Sequence, residues 1–137
     1  MEFKSPTKKY HSAEHLVFSC QYHVIFCPKY RRRVLIDGID CRLKEIFLEV
    51  AKKYDFEIIE MEVMPDHVHL LISCNPRFGI MDCVKKLKGT SSRLLREEFP
   101  VLVSKLPSMW TRSAFISTVG SVSLETVKHY IEDQKNK

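Results

Sequence analysis

Between Phe56 and Ser73 the chain runs as two stretches of strand-forming residues separated by Met64-Pro65-Asp66, and no other part of it has so few ways to fold. Proline fixes its own φ and brings no N–H to a ladder, and aspartate favours turns, so the backbone must reverse there. The pattern predicts a hairpin with strands Phe56 to Val63 and His67 to Ser73. Alternate side chains of a strand share a face, which sends His67 and His69 out together, roughly 7 Å apart, with Val68 pointing the other way. Two imidazoles so placed can grip one cation from two sides. They are still an incomplete metal site, and the rest of the sequence has to supply what completes it.

The remaining elements follow from periodicity. Leu16 to Cys27 alternates as one long strand with an apolar face, ended by Pro28, and Lys29-Tyr30-Arg31-Arg32-Arg33 follows as a loop or strand extension. Past Asp37-Gly38, Leu43, Ile46, Phe47, Val50, Ala51 and Tyr54 recur at helical spacing. Asn75 to Gly79 breaks the pattern, and a second helical region follows, interrupted at Gly89-Thr90-Ser91-Ser92 and basic on its outer face. Pro100 to Pro107 reads as a connection with a short helical turn. Phe115 to Val119 is a fourth strand, and Gly120 to Val122 leads to a final helix that Ser123 caps. The order strand, helix, strand, strand, helix, strand, helix is that of an α+β, ferredoxin-like βαββαβ sandwich with an added C-terminal helix. In that plan the first and third strands are central, which sets the histidines mid-sheet.

A chain of 137 residues is one domain, 1–137, with residues 1–13 as a mobile basic arm. No apolar run approaches a membrane span and no signal peptide is evident, so the expected location is the cytoplasm, with no membrane partner. The five cysteines lack a C-x-x-C pair and read as reduced, mostly buried thiols. A net charge of +5 suggests an anionic partner without naming it.

The last helix carries Lys128 to Gln134. Its apolar stripe is Leu124, Val127 and Ile131, with Tyr130 and Gln134 together on the flank, one turn apart. Taken alone, the tyrosine is an amphipathic cover for the core rim and the glutamine plain helix surface. There is no H-E-x-x-H and no H-x-E with P-C-x-x-C, so zinc protease and deaminase chemistry lack their third ligand and their acid–base group. G-x-S-x-G and Gly-rich phosphate loops are missing too, and no nucleotide cofactor is expected. An amide oxygen would suit a hard cation, Mg²⁺ or Mn²⁺.

Several blocks, in order, resemble one family: Tyr22-His23-Val24-Ile25-Phe26-Cys27-Pro28-Lys29-Tyr30-Arg31-Arg32, Met64 to Leu71, Leu87-Lys88-Gly89-Thr90-Ser91-Ser92-Arg93, Trp110-Thr111-Arg112-Ser113-Ala114-Phe115, and Thr118-Val119-Gly120 followed by Tyr130-Ile131-Glu132-Asp133-Gln134. From Leu16 to Gln134 the chain resembles the single-tyrosine HUH transposases (TnpA-like) of bacterial insertion sequences that move as single-stranded DNA. It departs from many members in having Leu106-Pro107-Ser108-Met109 where they have a Gly-Gly pair.

The resemblance implies that Tyr130 is the nucleophile and that His67, His69 and Gln134 bind the metal. It implies a homodimer whose sheets join, with composite sites and a hinge for the tyrosine helix near Gly120. The substrate would be single-stranded DNA with subterminal hairpins, cut and rejoined through a 5′-phosphotyrosine. Lys29, Arg31, Arg32, Lys85, Lys88 and Arg93 are phosphate-binding candidates, and Phe78 is a candidate for stacking an unpaired base. His23 shares a strand face with Ser19 and Gln21 and is expected to be structural. The competing readings are a domesticated nickase acting on genomic hairpin repeats and a non-catalytic nucleic-acid-binding module with a structural histidine pair.

Overall fold

The computed structural model describes residues 11–13, 16–18, 20–118 and 124–137. Strand β1 (His11–Ala13) pairs antiparallel with β2 (Leu16–Phe18), and the main sheet begins with β3 (Gln21–Phe26). The expected single strand from Leu16 to Cys27 is therefore two pieces: alternation marks which residues face the same way, but not where a strand changes partner. The same ribbon takes up His11 to Ala13, the described end of what reads as a mobile arm. Helix α1 (Ile39–Lys53) follows, then β4 (Glu57–Met64), β5 (His67–Ser73), α2 (Ile80–Glu98), the short α3 (Pro100–Lys105), β6 (Phe115–Thr118) and α4 (Leu124–Asp133). The expected cap at Ser123 and hinge at Gly120 lie outside the described residues.

The main sheet has the order β4-β5-β3-β6 and is antiparallel throughout, the ferredoxin-like arrangement with the first and third strands of the βαββαβ unit in the centre. Its two faces differ in chemistry. Val24 and Phe26 of β3 and Val68, Leu70 and Ile72 of β5 enter one buried cluster with Ile46, Phe47 and Val50 of α1 and Val84, Leu87 and Leu95 of α2. Burying a side chain of this size contributes about 1.5–3 kcal/mol, so this face carries most of the fold's stability. The other face presents Gln21, His23 and Ile25 on β3 and His67, His69, Leu71 and Ser73 on β5. Most of its polar members, Gln21, His23, His69 and Ser73, are buried as well. Buried polar groups need partners, and His23 and His69 are partners of each other.

Helix α2 runs unbroken through Gly89, where the sequence suggests an interruption. Glycine costs a helix about 1 kcal/mol. That is less than the gain from Cys83, Val84, Leu87, Ser91 and Leu95, which form one buried stripe across the supposed break. The indole N–H of Trp110 donates to Ser91 Oγ at 3.0 Å, and the Trp110 ring meets Phe26 edge-on with centroids 4.8 Å apart. Gly38, with φ at 95°, ends the turn into α1, and its left-handed backbone is one that glycine adopts without a steric penalty. All five cysteines are free; Cys27, Cys74 and Cys83 are buried, whereas Cys41 is exposed and Cys20 partly so. Among the described residues no helix is long and apolar enough to cross a membrane.

Candidate active site

The Pro65-Asp66 turn delivers His67 as the first residue of β5. His67 Nδ1–H donates to Asp66 Oδ1 at 2.8 Å. A carboxylate only accepts, so Nδ1 carries a proton, and the neutral form of the ring has its lone pair on Nε2. Among the described residues Nε2 is buried and has no hydrogen-bond partner. A lone pair held in that condition is costly to leave unmet, and a carboxylate behind the imidazole is what metal-ligating histidines commonly have.

His69 lies on the same face, paired across the sheet with Ile25. His69 Nε2 is 3.0 Å from His23 Nδ1, and the rings stack with centroids 5.2 Å apart. Burial pushes the His69 pKa down to about 4, with the neighbouring His23 and His67 imidazoles adding to the effect. His23 is also pushed down by burial, against an opposing pull from Glu60. Both rings are thus neutral near pH 7 and share one proton across the contact, and neutral imidazole is the form that ligates metals. His23, expected to be structural and close to the site, is a direct partner of a candidate ligand.

Tyr130 and Gln134 come together as their spacing predicts, although α4 ends at Asp133 and Gln134 opens a 3₁₀ turn, Gln134–Asn136. Gln134 Nε2 donates to the Tyr130 carbonyl at 3.4 Å. The two side chains meet on Ser113, whose hydroxyl donates to Gln134 Oε1 at 3.1 Å and lies 3.0 Å from the Tyr130 hydroxyl, able to accept its proton. Tyr130 also packs on Phe115 of β6, with ring centroids 5.6 Å apart. Phe115 pairs with Ile25, so α4 meets the sheet on the histidine-bearing face. Burial raises the Tyr130 pKa above the ordinary tyrosine value, and hydrogen bonding with Ser113 and Thr111 opposes that rise. At rest the residue is a phenol.

Backbone pairing aims Ser113 at Tyr130. Lys29 N–H donates to the Met109 carbonyl and Thr111 N–H to the Cys27 carbonyl, both at 3.0 Å, so residues 109–111 run beside the end of β3. Lys88 then fastens the segment from below: its ammonium donates to the carbonyls of Thr111 at 2.8 Å and Ser113 at 2.7 Å. Burial pulls the Lys88 pKa down to about 8. The nearby Cys27 thiol, buried, is pushed up to about 12 and offers no competing nucleophile.

Arg31 joins the two halves. Its Nε lies 3.5 Å from Asp66 Oδ2, and its Nη1 donates to Glu132 Oε1 on α4 at 3.2 Å. Tyr30 and Arg31 both have positive φ, 58° and 50°. That tight reversal turns the guanidinium back toward the site, and Tyr30 N–H donates to the Lys137 carbonyl at 2.9 Å, holding the C-terminal turn beside it.

The other phosphate and base candidates are spread more widely. Lys85 and Arg93 line a cavity of about 250 Å³ with Tyr54 and Lys86, on the helical side of the molecule. Phe78 is stacked on Tyr54, with centroids 6.1 Å apart, and packs against the core. Lys29 lies over the Tyr30 ring at 5.2 Å, and Arg32 is exposed. Arg31 and Lys88, by contrast, are engaged within the protein. Among the described residues no three His, Cys, Asp or Glu side chains converge as a metal cage; two histidines with an amide are not such a group. Asp66, Ser113 and the clamp made by Arg31 were not evident from the sequence, where they belong to a turn, a connection and a basic run.

The family described as "Transposase IS200 like" matches residues 16–134. The ISDra2 transposase TnpA of Deinococcus radiodurans is 42% identical over 123 residues, covering 88% of each chain. A transposase for insertion sequence element IS200 from Salmonella typhimurium is 30% identical over 129 residues, covering 90% of this chain and 85% of that one. Among solved structures, a transposase from Deinococcus radiodurans superposes with a TM-score of 0.83 at 36% identity, covering 93% of this chain and 99% of the other. A tyrosine transposase bound to a REP hairpin shares the fold, with a TM-score of 0.55 at 14% identity over 88% of this chain and 69% of the other.

Proposed function

Because this chain belongs to the IS200-like transposases, the single-tyrosine HUH family, with DNA transposition as its activity, we propose that it cuts and rejoins single-stranded DNA at hairpin-marked element ends through Tyr130. The observation that carries the proposal is the link made by Arg31, which ties the helix bearing Tyr130, followed directly by the turn bearing Gln134, to the turn that orients His67. A structural histidine pair would require no tyrosine helix fastened beside it.

In the proposed reaction the Tyr130 oxygen attacks phosphorus in line. The O–P bond to tyrosine forms, the bond from phosphorus to the 3′ oxygen breaks, and the products are a 5′-phosphotyrosine and a free 3′-hydroxyl. Bond count is conserved, so a second 3′-hydroxyl can reverse the step and reseal to a new end without ATP. Before attack the phenol proton is shared with Ser113 Oγ, and burial keeps it there. The phenolate is the stronger nucleophile, so losing that proton is part of activation.

His67, His69 and Gln134 would hold Mg²⁺ or Mn²⁺. The buried, unpartnered Nε2 of His67 fits this role, as does the neutrality of His69. Gln134 would have to exchange its bond from Ser113, and His69 would have to loosen its contact with His23 or ligate through its other nitrogen. When bound, such an ion supplies charge stabilisation at the scissile phosphate. A homodimer is part of the proposal: if helices exchange between subunits, the Arg31–Glu132 contact is what each chain gives up. The tyrosine transposase of like fold is bound to a REP hairpin, which agrees in kind with the substrate proposed.

The test is a denaturing gel of the protein with hairpin-bearing single-stranded DNA and Mg²⁺ or Mn²⁺. A metal-dependent covalent adduct is expected from the native chain and none from Tyr130→Phe. An adduct formed by Tyr130→Phe would remove Tyr130 from its assigned role.

A further inference from the structure

We infer that Asp66 and Arg31 are a positioning pair: Asp66 fixes the tautomer that leaves His67 Nε2 free to ligate, and Arg31 ties that carboxylate to the tyrosine helix through Glu132. The inference rests on the reading of His67 as a ligand, and it extends the site beyond the ligands and the nucleophile.

Geometry carries it. Both carboxylate oxygens of Asp66 are engaged, Oδ1 by the His67 Nδ1–H at 2.8 Å and Oδ2 by Arg31 Nε at 3.5 Å. Asp66 therefore cannot rotate away from His67 without also losing the guanidinium. The side chains of Arg31 and Asp66 are each only 16% exposed, so water competes weakly for either contact. Glu132, on α4, is the exposed third member, 62% accessible, and it is the contact that can be given up when the helix moves. The guanidinium fork suits this work because its donors are fixed in one plane, allowing Nε to face Asp66 while Nη1 faces Glu132.

The order of the residues explains why Asp66 is the partner. It directly precedes His67, and the turn at Pro65-Asp66 brings its carboxylate beside the imidazole rather than into solvent. Without that acceptor a neutral imidazole divides its proton between its two nitrogens. The fraction carrying the proton on Nε2 presents an N–H where a lone pair is needed. Orienting carboxylates of this kind typically change metal affinity by about 10–100-fold when removed.

The experiment uses the full chain and two readouts. Long-range ¹H–¹⁵N spectra of metal-free protein report the tautomer of His67, and titration with Mn²⁺ followed by electron paramagnetic resonance reports affinity. The native chain is expected to show His67 with its proton on Nδ1 alone. Asp66→Asn is expected to show a mixture and Mn²⁺ affinity weaker by about 10–100-fold, with Arg31→Gln shifted the same way by less and Asp66→Glu partly restored. Should Asp66→Asn not fold, as judged by thermal unfolding, Asp66→Ser and Arg31→Gln carry the same comparison. Native tautomer and native Mn²⁺ affinity in Asp66→Asn, alongside lost binding in His67→Ala, overturn the inference. If His67→Ala binds Mn²⁺ as the native chain does, the reading of His67 as a ligand fails instead, and a native tautomer in Asp66→Asn still overturns the role of Asp66.

Discussion

The hydroxyls of Ser113 and Tyr130 lie 3.0 Å apart, and the same serine oxygen reaches Gln134 at 3.1 Å. One small side chain thus touches both residues that α4 and the turn after it bring to the site.

The first prediction follows from that contact. Burial raises the Tyr130 pKa, and the serine hydroxyl, which can donate to a phenolate, works against the rise. Ser113→Ala should move the pKa further up, so that less phenolate is present at any pH below it. The alkaline rise of the adduct-forming rate should shift to higher pH, with the rate at neutral pH lower by up to about tenfold for a shift of one unit. A pH–rate profile of the two proteins checks this, and an unshifted rise in the variant contradicts it.

Lys88 is engaged twice, by the carbonyls of Thr111 and Ser113. Lys88→Met should loosen the segment that carries Ser113 and slow adduct formation by about tenfold or more, since small misplacements of reacting groups are costly. If its part is to hold that segment, DNA affinity should keep its salt dependence. A phosphate contact would instead reduce the slope of log K against log[salt] by roughly one. Binding titrations at several salt concentrations separate the two.

The buried histidine pair sets an acid limit on stability. In the unfolded chain His69 titrates near 6.5 and in the fold near 4, so between those values the unfolded state binds the extra proton. Stability of the metal-free protein should hold above about pH 6.5 and fall as pH drops toward 4, by at most about 1.4 kcal/mol per pH unit for this group. His23, pushed down by burial, acts in the same sense. Urea unfolding at a series of pH values should show a shallower dependence in His69→Gln.

Ser91 tests the fold apart from the chemistry. Its hydroxyl accepts from the Trp110 indole in a buried contact, and Ser91→Ala strands that N–H. The expected loss is about 1–3 kcal/mol, read as a lower urea midpoint at unchanged m-value. The adduct formed per folded molecule should be unchanged.

Much of the fold could be read directly. Strand β5 begins at His67 and ends at Ser73 as expected, because a proline turn bounds one end and Asn75-Pro76 follows the other. The stripe from Leu43 to Ala51 identified α1 for the same kind of reason: many residues repeat one signal. Gly89 misled, since a helix propensity is a local quantity and the burial that overrides it is not. The pairing of Tyr130 with Gln134 was legible as a turn of helix. Their meeting on Ser113 was not, because residues 17 and 21 positions apart are brought together by the path of residues 109–111 beside the end of β3. Asp66 looked like turn chemistry and nothing more. A single side chain has no period, so its second role shows only once the neighbour it touches is known. Arg31 and Lys88 read as phosphate-binding candidates for the same reason: charge is visible in a sequence, and the carboxylates and carbonyls that engage it are not.

The division of β5 between its two faces has one more effect. Sliding the strand by a single residue against β3 would set His67 and His69 among the aliphatic side chains of the helical layer and turn Val68, Leu70 and Ile72 outward. A mispaired sheet would lose its core and displace its histidine pair in the same slip. Cellular quality control, which inspects only whether a chain is folded, therefore also screens for chemical competence: a molecule that escapes degradation already has its histidines on the correct side.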